Sequence, residues 1–437
     1  MPPANRFYET DLVNQKDIAD VESLIRFSQY LGQEMETVKG IRKNQDTDLS
    51  LDLARGCLKK IGDRNKVKGD RFFLGSVDFM IDLDGSFRII EANGGSSRGI
   101  SSIPSVFWSC CYEAILEMLE GCTDNVLIGH PNNDVLMYEK ILLLELIVDF
   151  LDEEFYHPKD FKEDSGIIFG SYKDIISNID VRENTPYFND EKIGGIIGDG
   201  VARRIPALVD LGKKGKISSS LANHVFPITD DKSLTYRTVD IASNELKEYG
   251  VDPIEYSRVE TKDQLIKKIR EYLGTGGTVI KPHGGSGGRG IQIIENEEEI
   301  ESKVEDSLLS FIESSDTGDD GFPYTVSEKI DSRPVKWMGE ERNFDLRLYV
   351  ALNNGRLIPC GGLARSALAP KGESSRESVV VNLSGHGSLQ IERGIPINQE
   401  NLNRMGLDRE DLVNLMCASI VLFRSMVENL DELLKEV

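Results

Sequence analysis

Apolar spacing changes character several times along this 437-residue chain. Ile18, Val21, Leu24, Ile25 and Phe27 recur at helical intervals, so residues 1–70 read mainly as helix. Residues 71–100 switch to the shorter period of strands, and 104–122 return to helix. Apolar residues dominate from Leu136 to Phe150, as in a buried helix. Gly166 to Gly170 reads as a buried strand running into a helix, and Ile193 to Ile197 as another strand. Strands alternating with helices over 133–217 predict a small parallel-sheet domain. Asp230, Asp231 and Lys232 precede a helix expected through Asn244, and Thr261 to Tyr272 predicts another. Leu346 to Leu352 and the run from Leu357 flank Asn354-Gly355, a two-residue hairpin signal. An amphipathic helix is expected from about Asp408 to Val437. The class is α/β (α+β).

The densest glycine cluster interrupts a strand pattern. Thr278 to Pro282 is β-branched and ends in Lys281-Pro282, and a second run begins at Ile291. Between them lie Gly284, Gly285, Ser286, Gly287, Gly288, Arg289 and Gly290, five glycines in seven residues. Such a loop turns backbone N–H groups toward one point, which suits a polyphosphate. Gly285, Gly287 and Gly290 satisfy G-x-G-x-x-G, but strand follows where a dinucleotide fingerprint opens a helix. A phosphate loop ending in Gly-Lys-Ser/Thr is excluded by Ile291. A kinase loop is excluded because the lysine comes first and neither His-Arg-Asp nor Asp-Phe-Gly occurs.

A second constellation lies at 76–93. Asp84-Gly85 predicts a two-residue turn, which makes Asp78 face Glu91, with Glu91 and Asn93 on one strand face. Ile90 then points to the opposite, core-facing side. Two opposed carboxylates repel unless something lies between them, and a hard cation such as Mg²⁺ takes oxygen ligands of this kind. An exposed acidic hairpin without a ligand is the plainer alternative. Gly94 to Gly99 follows as a polar loop in which Ser96, Ser97 and Arg98 are candidate substrate contacts.

Composition narrows the setting. With 51 basic and 74 acidic residues the net charge is −23, which argues against nucleic-acid or anionic-membrane binding. The six cysteines form no C-x-x-C pair and suggest no disulfide framework. The first residues lack a signal-peptide core, and the longest apolar stretch is shorter than the roughly 20 residues a membrane span needs. A cytoplasmic location is expected. His283 and His386 lack metal-ligand spacing and read as loop residues.

Taken together, the two constellations resemble the ATP-grasp ligases. The Lys281 strand with its glycine loop resembles that family's phosphate-clamping hairpin, and Asp231-Lys232 its lysine before a helix. Glu328 resembles the acidic residue between lobes, with Ile330 beside the adenine. Asp345-Leu346-Arg347 resembles an Asp-x-Arg strand, and Arg365 and Asn382 a later arginine and asparagine. Asp78, Glu91 and Asn93 resemble the terminal Asp and Glu-x-Asn that hold magnesium. That last segment precedes the glycine loop here, as in the circularly permuted branch with the eukaryotic-type glutathione synthetases. The loop lacks that branch's acidic residue, and Leu383 to Gly387 is closer to the unpermuted ligases, so glutathione itself is not implied. Pairing about Asn354-Gly355 puts Arg365 on the far face from Arg347 unless Gly361-Gly362 forms a bulge. Arg204 would meet a substrate carboxylate or form a surface ion pair.

The resemblance implies ATP and Mg²⁺ as cofactors. It also implies a ligase that joins a small carboxylate and an amine, amino acids or small peptides, through an acyl phosphate. The alternatives are an ATP-grasp phosphotransferase, with His386 as the suspect phosphate carrier, and a non-catalytic nucleotide-binding regulatory protein. Four units are expected: a helical region 1–70 packing on the core, a metal-binding part 71–132, a small α/β substrate-side domain 133–217, and nucleotide-binding lobes with a terminal helix 218–437. A homodimer is left open.

Overall fold

The computed structural model describes residues 39–437 apart from 69–70, 95–98, 121, 131–136, 157–165, 199–204, 206, 209–210, 212–213, 215–219, 222, 275, 285–287, 315–319, 374–375, 382 and 384–390. The expectations for Ile18 to Phe27, Ser96, Ser97, Arg98, Arg204, Gly285, Ser286, Gly287, Asn382 and His386 fall outside the described residues.

Two hairpins far apart in sequence build the central sheet. The first comprises strands Leu74–Ile81 and Phe87–Asn93, and the second Phe344–Asn353 and Arg356–Ser366. Leu74–Ile81 pairs antiparallel with Phe344–Asn353, placing the hairpins side by side, and short strands Val251–Asp252 and Gly394–Ile395 close the edges. One face carries Val77, Phe79, Ile89, Leu346 and Leu348 into the largest core cluster. Helix Arg409–Glu428 covers that face, and its start is fixed by a reciprocal bond between Asp408 and Asp411. Helix Thr47–Ile61 packs against both helix Arg409–Glu428 and the sheet.

The first hairpin turns through three loop residues rather than two. Asp82 N donates to Ser86 O at 2.9 Å, and Gly85 takes φ +94°, a left-handed conformation that a non-glycine residue resists. Partners near the turn therefore shift by one, giving Ile81 opposite Phe87. A bulge then restores the register, because Phe79 pairs with Ile89 while Asp78 pairs with Glu91. The expected opposition of Asp78 and Glu91 holds through two offsetting irregularities. The placement of Ile90 in the core is corrected: Ile90 is the bulged residue and half-buried, and Ile89 fills the core position.

The second hairpin has its two-residue turn at Asn354 and Gly355, both with positive φ. Its pairing slips between Leu348 and Val350, where Gly361 takes φ +73°. A Cβ on Gly361 would lie 3.1 Å from the Phe107 ring, and one on Gly362 would lie 2.2 Å from Arg347 O. The slip brings Arg365 opposite Asp345 and onto the Arg347 face.

A second sheet carries the glycine-loop strand Thr278–Pro282 between Tyr324–Glu328 and Gln292–Ile294, with Tyr256–Val259 beyond. Helices Lys262–Leu273 and Ile300–Ser314 pack on it. In the third sheet, Asn125–His130 lies parallel between Ile167–Ser171 and Glu191–Ile197, and an antiparallel meander of Ile179–Arg182 and Thr185–Phe188 extends one edge. This sheet is thus parallel only in part, and it takes in a strand ahead of residue 133. Among the described residues no helix is long and apolar enough to cross a membrane.

Candidate active site

Four basic side chains from four elements converge on the first hairpin. Lys232 opens helix Lys232–Ile241, behind an Asp231 cap whose carboxylate accepts from Ser233 N at 2.9 Å. Its Nζ lies 2.8 Å from Glu91 Oε1 and donates to Thr229 O at 3.3 Å. One turn later, Tyr236 presents its hydroxyl to Lys281 Nζ at 2.7 Å, and both groups donate to Ile90 O, at 3.1 and 3.2 Å. The strand bulge at Ile90 thus gives one carbonyl to both the helix and the glycine-loop strand.

Asp78 meets two guanidinium groups. Arg347 donates Nε to Oδ1 at 2.8 Å and Nη2 to Oδ2 at 2.7 Å, a two-pronged pair. Arg365 adds Nη2 to Oδ2 at 2.9 Å and grips Asp345 through Nε at 2.8 Å. Asn93 Nδ2 lies 3.4 Å from the same Asp78 oxygen. Burial alone would raise the Asp78 pKa, but Arg347 and Arg365 outweigh it and bring it to about 2. At Asp345, burial dominates and the nearby Asp78 charge adds to it; Arg365 offsets only part, leaving a pKa of about 6. Burial raises Glu91 too, yet Lys232 more than reverses it and the net shift is downward. The expectation of two carboxylates facing each other without partners is therefore corrected: one is paired with arginines and the other with a lysine.

These contacts bear on a cation. Glu91 and Asn93 offer carboxylate and carboxamide oxygens two residues apart on one strand, a donor set that fits a hard dication. Both Asp78 oxygens already accept from guanidinium groups, whose positive charge opposes a cation beside them. Among the described residues no three His, Cys, Asp or Glu side chains stand together as a metal cluster.

The remaining expected residues lie around this centre. Gly284, Gly288 and Gly290 all have positive φ, and a Cβ on Gly290 would stand 2.7 Å from Pro282. Arg289 is exposed. Glu328 ends its strand opposite Thr278, and its Oε1 accepts from Glu255 N at 2.9 Å; Ile330 follows, half-buried. Pairing along the strands puts Glu328 three positions from Lys281.

Several site residues were not anticipated. Tyr236 stands four positions after Lys232, a spacing that marks a shared helix face. Arg376 donates to Gly288 O, bringing the segment after the second hairpin onto the glycine loop. Glu139, buried, accepts from Gly99 N at 3.0 Å, Ser101 N at 2.7 Å and Ser101 Oγ at 2.6 Å. Thr229 Oγ1 accepts from Gly94 N at 3.1 Å. Both ends of the polar loop after Asn93 are therefore pinned by other elements, which no local pattern announces.

No family model matches the sequence, and no curated protein matches it significantly. Among solved structures, the chain is similar to a "Putative gamma-glutamylcysteine synthetase" from Methylobacillus flagellatus KT. The match has 12% identity and a TM-score of 0.51, covering 92% of this chain and 96% of that one. A D-alanyl-alanine synthetase A from Vibrio cholerae O1 matches 70% of this chain and 81% of its own, with 10% identity and a TM-score of 0.34. The fold is mixed α/β and is shared with the first of these structures over nearly the whole of both chains.

Proposed function

We propose that the chain is an ATP-dependent carboxylate–amine ligase. One observation carries this reading: Lys232 and Lys281, from separate elements, close on Glu91 and Ile90 beside the Arg347–Asp78–Arg365 array. Two fixed ammonium groups and a glycine loop suit a polyphosphate, while the guanidinium pair suits charge developing on an acyl phosphate.

In this reading Lys232, Lys281, Gly284 to Gly290 and Arg289 hold the phosphates, and Glu328 and Ile330 border the adenine. A carboxylate substrate attacks the γ-phosphorus, ADP leaves, and the acyl phosphate rests against Arg347, Arg365 and Asn382. The amine then attacks the acyl carbon, phosphate departs, and the amine's proton passes to solvent. Glu91 and Asn93, joined by Asp78, would hold Mg²⁺, which would supply positive charge to the phosphates. Ser96, Ser97, Arg98 and Arg204 are proposed for the substrates, amino acids or small peptides. The chain order is proposed to be permuted, since a strand near the start pairs with one near residue 350. The 71–132, 133–217 and 218–437 units are proposed in the same sense, with Asn125–His130 moved to the middle one.

Screening ADP release against amino acids singly and in pairs tests this, with glutamate and cysteine as the first pair. Release that requires both a carboxylate and an amine donor supports the ligase. Release with one substrate and no amine would instead favour a phosphotransferase, and no release with any pair would sink both.

A further inference from the structure

The segment after the second hairpin carries a cation that the proposed reaction leaves unassigned. Strand Arg356–Ser366 ends just past Arg365, and the chain then folds back on the residues that open the hairpin. Ala367 N donates to Asn343 O at 2.8 Å and Lys371 N to Glu341 O at 2.8 Å, while the buried Asn343 donates Nδ2 to Ser378 O at 2.7 Å. The short helical turn Arg376–Ser378 is also fixed from within. Ala369 N donates to Glu377 O at 2.9 Å, and Val380 N to Arg376 O at 2.8 Å. The backbone at Arg376 is therefore held by the framework that holds Asp345 and Arg365.

From that framework Arg376 reaches Gly288, near the end of the glycine loop, and donates Nη2 to its carbonyl oxygen. The approach is close: Gly288 takes φ +73°, and a Cβ there would stand 2.6 Å from Val380 Cγ1 and 3.1 Å from Arg376 Nη2. A guanidinium has five N–H donors, and this bond uses one. Among the described residues Arg376 makes no ion pair, and neither does the exposed Arg289 beside Gly288. Burial pushes the Arg376 pKa below its usual value; Glu377 offsets part of this, and the like charge of Arg289 adds to it. A half-buried guanidinium next to a second cation is electrostatically incomplete, and an anion beside both would complete it.

We propose that Arg376 is a phosphate-binding residue, which brings a guanidinium from the central-sheet side to the phosphates held by the glycine loop. This rests on the nucleotide reading above. One hydrogen on Nη2 is spent on Gly288 O, so one edge of the planar group is left whole, and such an edge suits two phosphate oxygens. In the empty chain Arg376 and Arg289 repel each other. A polyphosphate beside both replaces that repulsion with two attractions, so nucleotide binding also tightens the contact at Gly288. Arg365 lies on the same stretch of chain, and the transferred phosphate is thereby gripped at both its positions from one framework.

The test is calorimetric titration of the full chain with magnesium–ATP at about 50 and about 300 mM salt, using wild type, Arg376→Gln and Arg376→Lys. The glutamine keeps an N–H for Gly288 O and removes the charge. It should bind about tenfold more weakly at low salt, the size of one charge-assisted hydrogen bond, and should lose part of the wild-type salt dependence. The lysine restores charge without the planar fork and should recover part of the affinity. Thermal melts of the nucleotide-free proteins should differ little, because the bond to Gly288 O is retained. Wild-type affinity in Arg376→Gln, whatever its Tm, would overturn the proposal, since Arg376 would then only fasten the loop. Arg376→Met repeats the comparison if the glutamine variant does not fold. Wild type that binds no magnesium–ATP would overturn the nucleotide reading itself, and this assignment with it.

Discussion

Lys232 and Glu91 form an ion pair of 2.8 Å between the start of a helix and the strand face of the first hairpin. The lysine side chain is 9% exposed and the glutamate 32%. Breaking a fully buried pair by removing one partner costs about 3–5 kcal/mol. Partial exposure of Glu91 reduces this, so Glu91→Gln should lower stability by about 1–3 kcal/mol. A repelling, unpartnered glutamate would give the opposite sign. Urea unfolding distinguishes the two, and turnover at limiting Mg²⁺ should fall sharply in the same variant.

The buried carboxylates of the arginine array give stability a pH signature of their own. Asp345 holds its proton to about pH 6, above its ordinary value of 3.8. Between these values the folded chain binds more protons than the unfolded one. Stability on this account therefore falls as pH rises from about 4 to 6 and stays reduced above that. Asp78 works the other way: its contribution is present above its ordinary 3.8 and is lost as pH falls through about 2. In Asp345→Asn the first slope should vanish. Relative to the variant, wild type should lose roughly 2 kcal/mol between pH 4 and 6. Denaturation curves across that range that run parallel for the two proteins would refute the raised pKa.

The slip at Gly361 decides where Arg365 points. Gly361→Ala meets a left-handed backbone, costing about 1–2 kcal/mol, and its methyl approaches Phe107 at 3.1 Å. Relief by straightening the strand would swing Arg365 away from Asp345 and Asp78. We expect a lower Tm together with a loss of turnover larger than the stability change explains. Wild-type kcat in a destabilised Gly361→Ala protein would show that Arg365 need not face Asp78.

Legibility in the sequence tracks the range of the interactions. The strands, both hairpins and the terminal helix were readable because turn residues and apolar period are local. The opposition of Asp78 and Glu91 was reached by a turn register one residue off, which the bulge at Ile90 cancels. The bulge shifts the core period from Phe87 and Ile89 to Ala92, but with Ile89 and Ile90 both apolar the sequence does not say which of them is the extra residue. Gly361-Gly362 did flag its own bulge, because adjacent glycines inside a strand pattern need a reason. The arginine partners of Asp78 were hidden. They depend on pairing strands 269 residues apart, and nothing near Asp78 encodes which strand lies beside it.

That correction yields a direct packing test. Ile89 is 1% exposed within the main core, while Ile90 is half-buried outside it. Ile89→Ala should cost about 2–5 kcal/mol, and Ile90→Ala clearly less, because less apolar surface leaves contact. Equal losses on urea unfolding would mean the bulge lies elsewhere.

Lys281 offers the sharpest separation of binding from folding. Its Nζ rests on two oxygens, the Tyr236 hydroxyl at 2.7 Å and Ile90 O at 3.2 Å, and stands 5.3 Å from the Tyr236 ring centroid. None of these partners carries a full charge, so the ammonium is held by dipoles and keeps its attraction for an incoming phosphate. Lys281→Ala removes one half-buried, hydrogen-bonded side chain and should change stability by about 1–2 kcal/mol at most. Its effect on ATP should be larger: at least tenfold weaker binding, and turnover reduced beyond that if the lysine also follows the γ-phosphate during transfer. Tyr236→Phe keeps the ring and the cation contact but drops the hydroxyl, so it should lose severalfold in affinity without abolishing turnover. Calorimetry and thermal melts on the two variants decide the matter. Should Lys281→Ala bind ATP as wild type does, the glycine-loop strand is not the phosphate site.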